Sequence, residues 1–174
     1  MARYVAVIGP SRPGPGVAAA AREVGRRLAE GGAIVVCGGG GGAMEAACEG
    51  AAGAGGLTVG ILPGPTRADA NRFVTVALPT AMGEARNALV VRAADAVVAV
   101  GGGVGTLSEI GLALKMGKPV VGLGTWTIEA PLSDRVSGRA SGGASDLASI
   151  VKVDTPEEAV RIALELTARP GRTS

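Results

Sequence analysis

Histidine is absent from the 174 residues, and cysteine occurs only twice. Without histidine, the chain cannot hold a histidine general base, a Ser-His-Asp triad or a histidine-ligated metal. The two cysteines, Cys37 and Cys48, match neither a CxxC redox motif nor a metal-binding spacing. We therefore expect reduced structural thiols, as in a cytoplasmic protein, and no resident metal or other cofactor.

Aromatic and charged residues are also scarce, which narrows the range of partners. Aromatic residues make up 2% of the chain, so little is available to stack on exposed bases of single-stranded nucleic acid. The net charge is only +2, and the lysines and arginines form no basic stripe of the kind that binds a duplex. No apolar run approaches the ~18 residues that a membrane span requires. We expect neither nucleic-acid nor membrane partners.

Glycine, in contrast, is abundant: 30 of the 174 residues, more than twice the usual share of about 7%. Two glycine-rich runs, 38–42 and 101–105, each follow an apolar strand-like run and precede a helix-like stretch. Glycine lets a ligand approach the backbone closely, and a helix start directs unpaired N–H groups at the same place. Each run therefore predicts a phosphate site, and the two together predict one site lined from two sides.

Apolar runs and stretches of helical period alternate along the chain. The strands are apolar throughout, which is typical of a parallel sheet covered on both faces. We predict a doubly wound, Rossmann-like α/β domain over residues 1–168, a frayed tail at 169–174 and a mobile Gly/Ser-rich loop at 133–145. The predicted strands are 4–8, 34–37, 58–62, 73–77 (an edge), 96–100, 119–123 and 150–153; the predicted helices are 16–29, 43–54, 83–94, 106–116 and one opening at 155.

Known phosphate-binding fingerprints do not fit either run. The Walker A pattern is absent, and the first strand leads into Gly9-Pro10-Ser11-Arg12, which is not GxGxxG. In a doubly wound sheet this segment would still lie at the ligand-binding edge, so Gly9 and Ser11 are candidate ligand-binding residues. Tight strand-to-helix turns also use glycine for packing alone, and that alternative stays open.

Glu109 and Arg86 are charged residues on otherwise apolar helical faces. Thr106-Leu107-Ser108-Glu109 matches a capping box, with Thr106 as N-cap and Glu109 reaching back. However, Glu109 also shares a face with Leu112, Ala113 and Met116, where a charge is costly unless it faces a cleft or an interface. Arg86 likewise faces either a cleft, or solvent or an interface, with its aliphatic stem packed along the apolar face. Glu84 is expected to point elsewhere, as a first-turn charge.

The residues Gly101-Gly102-Gly103-Val104-Gly105-Thr106-Leu107-Ser108-Glu109 resemble the PGGxGTxxE motif of the LOG family, part of the SLOG superfamily and long labelled lysine decarboxylase-like. The resemblance covers residues 4–123, with 35–44 similar to the family's first glycine segment and 82–87 to its arginine-bearing segment. It implies a phosphoribohydrolase that cleaves the N-glycosidic bond of a nucleoside 5′-monophosphate. In that mechanism the second glycine run holds the phosphate, Glu109 stabilises the oxocarbenium-like ribose and Arg86 orients Glu109 or the leaving base.

Three departures from the family pattern keep a second function open. Gly101 replaces the family's proline, the arginine-bearing segment has no histidine and Asn87 replaces lysine, and 43–45 departs from the usual Leu-Met-Gly. These departures are similar to a divergent branch that also resembles molybdenum cofactor carriers, which bind a phosphorylated pterin without cleaving a glycosidic bond. A non-catalytic carrier or sensor is therefore the alternative. Lysine decarboxylase chemistry is rejected, because no lysine lies in a pyridoxal-phosphate context.

The predicted site thus has two catalytic residues, Arg86 and Glu109, and a larger set of ligand-binding residues. The ligand is expected to be a phosphorylated small molecule, either a nucleoside monophosphate or a pterin cofactor. Helices rich in small apolar residues at 86–94 and 109–116 predict a homodimer or homotetramer. The predicted ligand-binding residues are Gly9, Ser11, Gly39, Gly40, Gly41, Gly102, Gly103, Val104, Gly105 and Thr106.

Overall fold

A computed structural model of the protein describes residues 2–128 and 149–167, so the predicted loop at 133–145 and the predicted tail at 169–174 lie outside the described residues. The described part of the chain contains seven strands and five α-helices. The strands are β1 (Arg3–Ile8), β2 (Ala33–Cys37), β3 (Thr58–Leu62), β4 (Val76–Pro79), β5 (Ala96–Val100), β6 (Val120–Leu123) and β7 (Ile150–Val153); the helices are α1 (Pro15–Glu30), α2 (Ala43–Gly53), α3 (Asn87–Ala93), α4 (Val104–Lys115) and α5 (Pro156–Thr167).

All seven strands form a single sheet in the order β4-β3-β2-β1-β5-β6-β7, and every pairing is parallel. The order runs outward in one direction from β1 to β4 and in the other from β5 to β7. The strand order therefore reverses between β1 and β5, where doubly wound sheets open a crevice beyond the carboxyl ends of the strands. The predicted Rossmann-like α/β fold is confirmed.

The helices cover both faces of the sheet, as the uniformly apolar strands predict. One core cluster joins β1, β2 and β5 to α1, α2 and α5 through residues such as Val24, Ala47 and Ala159. A second cluster joins alternate strand residues to α3 and α4 through Val90 and Ile110. α5 begins as predicted: the Thr155 hydroxyl accepts a hydrogen bond from the Glu158 amide at 3.2 Å.

Three elements differ from the prediction by more than one residue or in their type. β4 is an edge strand, as expected, but it begins at Val76 because Thr58 holds the preceding segment in side-chain hydrogen bonds to Phe73 and Thr75. The predicted helix 83–94 divides into a 3-10 turn, Gly83–Arg86, and α3. α4 begins two residues earlier than predicted, with Gly103 in the N-cap position.

Candidate functional site

A cleft of about 460 Å³ lies beyond the carboxyl ends of β1 and β5, where the strand order reverses. This volume is within the 300–1,000 Å³ typical of sites for small molecules. Four segments line it: the turn after β1, the first turn of α2, the 3-10 turn with the first residue of α3, and the start of α4. The lining residues are Gly9, Pro10, Ser11, Arg12, Met44, Glu84, Arg86, Asn87, Gly103, Val104, Gly105, Thr106 and Glu109.

The first turn of α4 forms one wall of the cleft. Its leading amides have no intrahelical carbonyl to bond, and the helix dipole adds partial positive charge at this end. Val104, the first helical residue, is 84% exposed, so this helix start is open to solvent. The Trp126 Nε1 atom donates a hydrogen bond of 3.2 Å to the Gly103 carbonyl and so anchors the turn.

Thr106 is not an N-cap, and the capping-box interpretation is wrong. The residue occupies the third position of α4 and is 2% exposed. Its Oγ1 atom is buried and has no hydrogen-bond partner. A buried hydroxyl without a partner costs about 1–3 kcal/mol of desolvation. Because Thr106 lines the cleft, a ligand in the cleft could supply the missing partner.

Arg86 and Glu109 meet at the floor of the cleft. Arg86 is 8% exposed and Glu109 is 7% exposed, and the Arg86 Nη1 and Glu109 Oε1 atoms lie 3.7 Å apart. That distance is too long for a hydrogen bond, although it counts as an ion pair. Arg86 Nη1 donates instead to the Asn87 Oδ1 atom, and the Arg86 Nε–H is buried without a partner. Both charged groups therefore keep hydrogen-bonding capacity for a bound molecule.

The surroundings of Glu109 favour its neutral form more strongly than water favours the neutral form of an ordinary glutamate. The pKa of Glu109 is raised to about 7: burial is the main cause, Arg86 opposes the rise, and the nearby charge of Glu84 adds to it. Near neutral pH, Glu109 therefore exists as a mixture of carboxylic acid and carboxylate. As a carboxylic acid it can donate a hydrogen bond, which a carboxylate cannot do.

Sequence reasoning missed five of the residues that line the cleft: Pro10, Arg12, Met44, Glu84 and Asn87. Glu84 lines it, because the 3-10 turn at 83–86 replaces the predicted α-helical spacing. Asn87 also lines it and is 6% exposed; its Nδ2 atom donates to Ser108 Oγ at 3.1 Å, and Ser108 Oγ donates to the Gly105 carbonyl at 2.8 Å. Asn87 thus connects Arg86 to the first turn of α4. Gly83 begins the tight turn with a φ of +54°, and the glycine at this position was the signal available in the sequence.

The first glycine run packs against the protein's own groups. The Asn71 Nδ2 atom donates to the carbonyls of Gly39 and Gly40, at 3.2 and 2.9 Å, and the Gly39 amide donates to the Cys37 Sγ atom. The amide of Ala43, the first residue of α2, donates to the Pro10 carbonyl at 3.0 Å. The first amide of this helix is therefore already partnered within the chain.

Of the predicted site residues, the structure gathers most around one cleft. Those that line it are Gly9, Ser11, Arg86, Gly103, Val104, Gly105, Thr106 and Glu109. Those that are not among its lining residues are Gly39, Gly40, Gly41 and Gly102. Gly9 also has a packing role, because a Cβ atom there would lie 2.7 Å from both the Val100 carbonyl oxygen and the Ala43 Cβ atom.

The cysteines are free and buried, as expected of structural thiols. Their Sγ atoms lie 3.4 Å apart, and the hydrogen bond with Cys48 together with burial raises the pKa of Cys37. Within 2–128 and 149–167, no group of three or more acidic or cysteine side chains is arranged to hold a metal ion. None of the described helices is long and apolar enough to cross a membrane.

Solved structures of two molybdenum cofactor binding or carrier proteins have the same fold as this chain. The molybdenum cofactor binding protein of Rippkaea orientalis superposes with a TM-score of 0.80 at 31% identity, covering 95% of this chain and 98% of that protein. The molybdenum cofactor carrier protein of Chlamydomonas reinhardtii gives 0.81 at 31% identity, with 97% and 100% covered. A protein of Archaeoglobus fulgidus without a described function is 44% identical over 104 residues, which are 59% of this chain and 68% of that protein.

The family assignment comes from a sequence profile that spans most of the chain. The profile of the SLOG cluster4 family matches residues 2–160. The predicted resemblance to the SLOG superfamily and to the molybdenum cofactor carriers is thereby confirmed. The chain belongs to the SLOG cluster4 family.

Proposed function

We propose that the protein binds a phosphorylated small molecule in the cleft and carries it without chemical change, with molybdenum cofactor as the leading candidate. The observation that carries the proposal is the buried, unpartnered Thr106 Oγ1 atom at the open start of α4. A phosphate there would accept from Thr106 and from the leading amides of the helix, and the helix dipole would favour its charge. This end of the cleft suits an oxyanion.

Other residues that line the cleft suit a polar group with N–H donors. Glu84 and Glu109 offer carboxyl oxygen atoms that accept hydrogen bonds from ring or amino N–H groups. None of the described residues that line the cleft is aromatic, so recognition of a flat heterocycle would rest on its polar edge. A pterin that carries a phosphate combines the two kinds of group that these residues and the start of α4 accept.

The comparisons support a carrier more than an enzyme. Two proteins whose names state that they bind or carry molybdenum cofactor match this chain over nearly its whole length at 31% identity. Asn87 stands where the LOG family has lysine, and it bonds Arg86 and Ser108 within the protein. The similarity to carrier proteins and the absence of that lysine favour retention of a bound ligand over turnover.

The test is a search for ligand in protein purified from a host that makes molybdenum cofactor. Denatured and oxidised extracts of the wild type are expected to show pterin fluorescence. Thr106→Val should retain about 10–100-fold less at equal protein, because a hydrogen bond to a charged group contributes about 1.5–3 kcal/mol. Thr125→Val is the matched control, since Thr125 Oγ1 is also buried and unpartnered but does not line the cleft. Equal retention by both variants would refute the proposed phosphate position.

A phosphoribohydrolase is the second candidate, and the pairing of Arg86 with Glu109 at the cleft floor favours it. The ligand would be a nucleoside 5′-monophosphate, and Glu109 would stabilise the ribosyl cation or activate water as the base departs. Incubation with AMP and chromatography for adenine and ribose 5-phosphate tests this function. Glu109→Gln should abolish product formation while it leaves AMP binding largely intact; turnover by that variant would exclude this mechanism.

We also propose that the protein is a cytoplasmic homodimer or homotetramer that associates through α3 and α4. Leu89 on α3 is 38% exposed, and a groove next to the cleft is lined by Ala88 on α3 and Leu112 on α4. Light scattering coupled to gel filtration measures the mass of the particle. Leu89→Asp is expected to reduce that mass to one subunit, and an unchanged mass would place the interface elsewhere.

A further inference from the structure

We propose that Gly38 is a positioning residue, whose missing side chain leaves the space in which the Arg86 guanidinium lies against Glu109. The inference rests on the proposed function, because it assigns to the first glycine run a role in that same cleft. The role differs from ligand contact: Gly38 is buried at the end of β2 and is not a lining residue of the cleft.

The required space is visible in the contacts that a side chain at position 38 would make. A Cβ atom there would lie 2.6 Å from Arg86 Nη2, 2.9 Å from Arg86 Cζ and 2.8 Å from Met44 Sδ. Real Cβ atoms essentially never lie within 3.0 Å of another heavy atom, so the guanidinium and the Met44 thioether, both at the ends of flexible side chains, would shift. The backbone of Gly38 is not left-handed, so the position requires space and not an unusual φ.

The guanidinium is held from its other side by the cleft residues. Arg86 Nη1 donates to Asn87 Oδ1 and lies 3.7 Å from Glu109 Oε1. A side chain at position 38 would push on Nη2 and Cζ, which belong to the same rigid plane as Nη1. Because Arg86 lines the cleft, the guanidinium would yield toward that space and leave its present position beside Glu109. The separation between Arg86 and Glu109 therefore depends on the bare backbone at Gly38.

Other glycines of the same run lack this property and serve as a comparison. A Cβ at Gly40 would meet only Met44 Cε at 3.4 Å, and one at Gly41 would meet only Glu45 Oε2 at 3.7 Å. Neither position has a positive φ. An alanine at Gly41 is therefore tolerated in space and in backbone conformation, and it leaves Arg86 untouched.

The ionisation of Glu109 in the ligand-free protein reports the position of Arg86. The charged groups that act on Glu109 are Arg86 and Glu84, and Arg12 also lines the cleft. Arg86 lowers the pKa of Glu109, so a guanidinium displaced by 1–2 Å should let that pKa rise by about half a unit to one unit. A residue that only supports packing would not change this titration.

The experiment is a carbon-13 NMR titration of the glutamate carboxyl groups, with the Glu109 signal assigned by Glu109→Gln. Gly38→Ala is expected to raise the pKa of Glu109, and Gly41→Ala is expected to leave it within 0.2 units of wild type. In an Arg86→Ala background, Gly38→Ala should produce no further shift. If Gly38→Ala folds and titrates like the wild type, the inference is overturned.

Loss of folding in Gly38→Ala is resolved by a double variant. If Gly38→Ala unfolds and the combination with Arg86→Ala restores a cooperative thermal transition, the guanidinium is the group that is crowded, as proposed. If the combination also stays unfolded, the crowding lies elsewhere and the inference fails. The titration needs no ligand, so its outcome is independent of whether the cleft binds a phosphorylated molecule; absence of ligand binding would refute only the proposed function.

Discussion

The turn at 38–42 and the turn at 101–105 share a description in the sequence but differ in their surroundings. Both follow a buried parallel strand and open a helix. At the first turn, Asn71 bonds the carbonyls of Gly39 and Gly40, and Pro10 accepts from the first amide of α2. At the second, Val104 is exposed and Thr106 Oγ1 has no partner.

The difference teaches that a glycine-rich turn after a strand does not by itself indicate a ligand. Glycine permits close approach, and the approaching group can be a ligand or another part of the same chain. At Gly38 the approaching groups are Arg86 and Met44. The useful question for each turn is whether its polar groups are already bonded within the protein.

The largest expected effect comes from a negative charge at the second turn. Val104→Asp places a carboxylate at the exposed start of α4, where it competes with a bound phosphate for the same amides. Like charges in contact cost several kcal/mol, so we expect AMP affinity to fall by about 100-fold or more. The fold should persist, because an acidic residue in the first helical turn is favourable. Titration calorimetry with AMP measures the effect.

A negative charge placed at the first turn tests the difference between the two turns directly. Gly41 is exposed and has an ordinary backbone conformation, so Gly41→Asp is compatible with the fold. At physiological salt its effect on AMP affinity should stay within about threefold, because separated exposed charges are screened. If the two substitutions weaken AMP binding equally, both turns face the ligand and the distinction between them is lost.

The next effect concerns Glu109, a buried ionisable residue on the helix that follows the second turn. Because the pKa of Glu109 is about 7 in the folded state and its ordinary value is 4.5, the folded protein loses stability as pH rises through this interval. Glu109→Gln removes that loss. Relative to wild type, the variant should gain about 2–3 kcal/mol in unfolding free energy between pH 5 and pH 8.

Urea unfolding of both proteins at several pH values measures this difference. The stability difference between the two proteins, and not either absolute value, is the quantity to compare, since other carboxylates such as Glu23 also titrate. A difference that does not change with pH would mean that Glu109 is an ordinary, ionised glutamate.

The smallest effect is a loss of stability without loss of binding at the first turn. Asn71→Ala removes the bonds to Gly39 and Gly40 and the bond from the Phe73 amide to Asn71 Oδ1. We expect the unfolding free energy to fall by about 1–2 kcal/mol. AMP affinity at a temperature where the variant stays folded should equal that of wild type. A tenfold loss of affinity would make the first turn part of the binding site.

The sequence was sufficient for the fold, and most of the residues that it predicts for the site line one cleft. Apolar, non-alternating strands separated by helical stretches predict a parallel sheet, and glycine after β1 and β5 predicts where its crevice opens. Arg86 and Glu109 were identified as charges on apolar faces, and they do meet at the cleft floor. The apolar pattern of the strands and helices predicts the fold well here, because both faces of the sheet are buried under helices.

The sequence was insufficient where tertiary contacts decide the local structure. Thr106-Leu107-Ser108-Glu109 satisfies the capping-box pattern, yet the helix begins earlier and Glu109 faces Arg86. Glu84 enters the cleft because a 3-10 turn has a different residue spacing from an α-helix. The partner of the first glycine run is Asn71, far along the chain, and no local pattern identifies it.

The pairing of β1 with β5 has a consequence for synthesis of the protein. The cleft joins residues 9–12 to residues 103–109, so it cannot form on the ribosome until α4 has emerged. Until then the nascent chain can pair β1, β2, β3 and β4, but β1 remains an open and wholly apolar edge along Val5–Ile8. A chaperone would be most useful at that edge while it is exposed. A ligand can stabilise the protein only after β5 has paired with β1 and the cleft has formed.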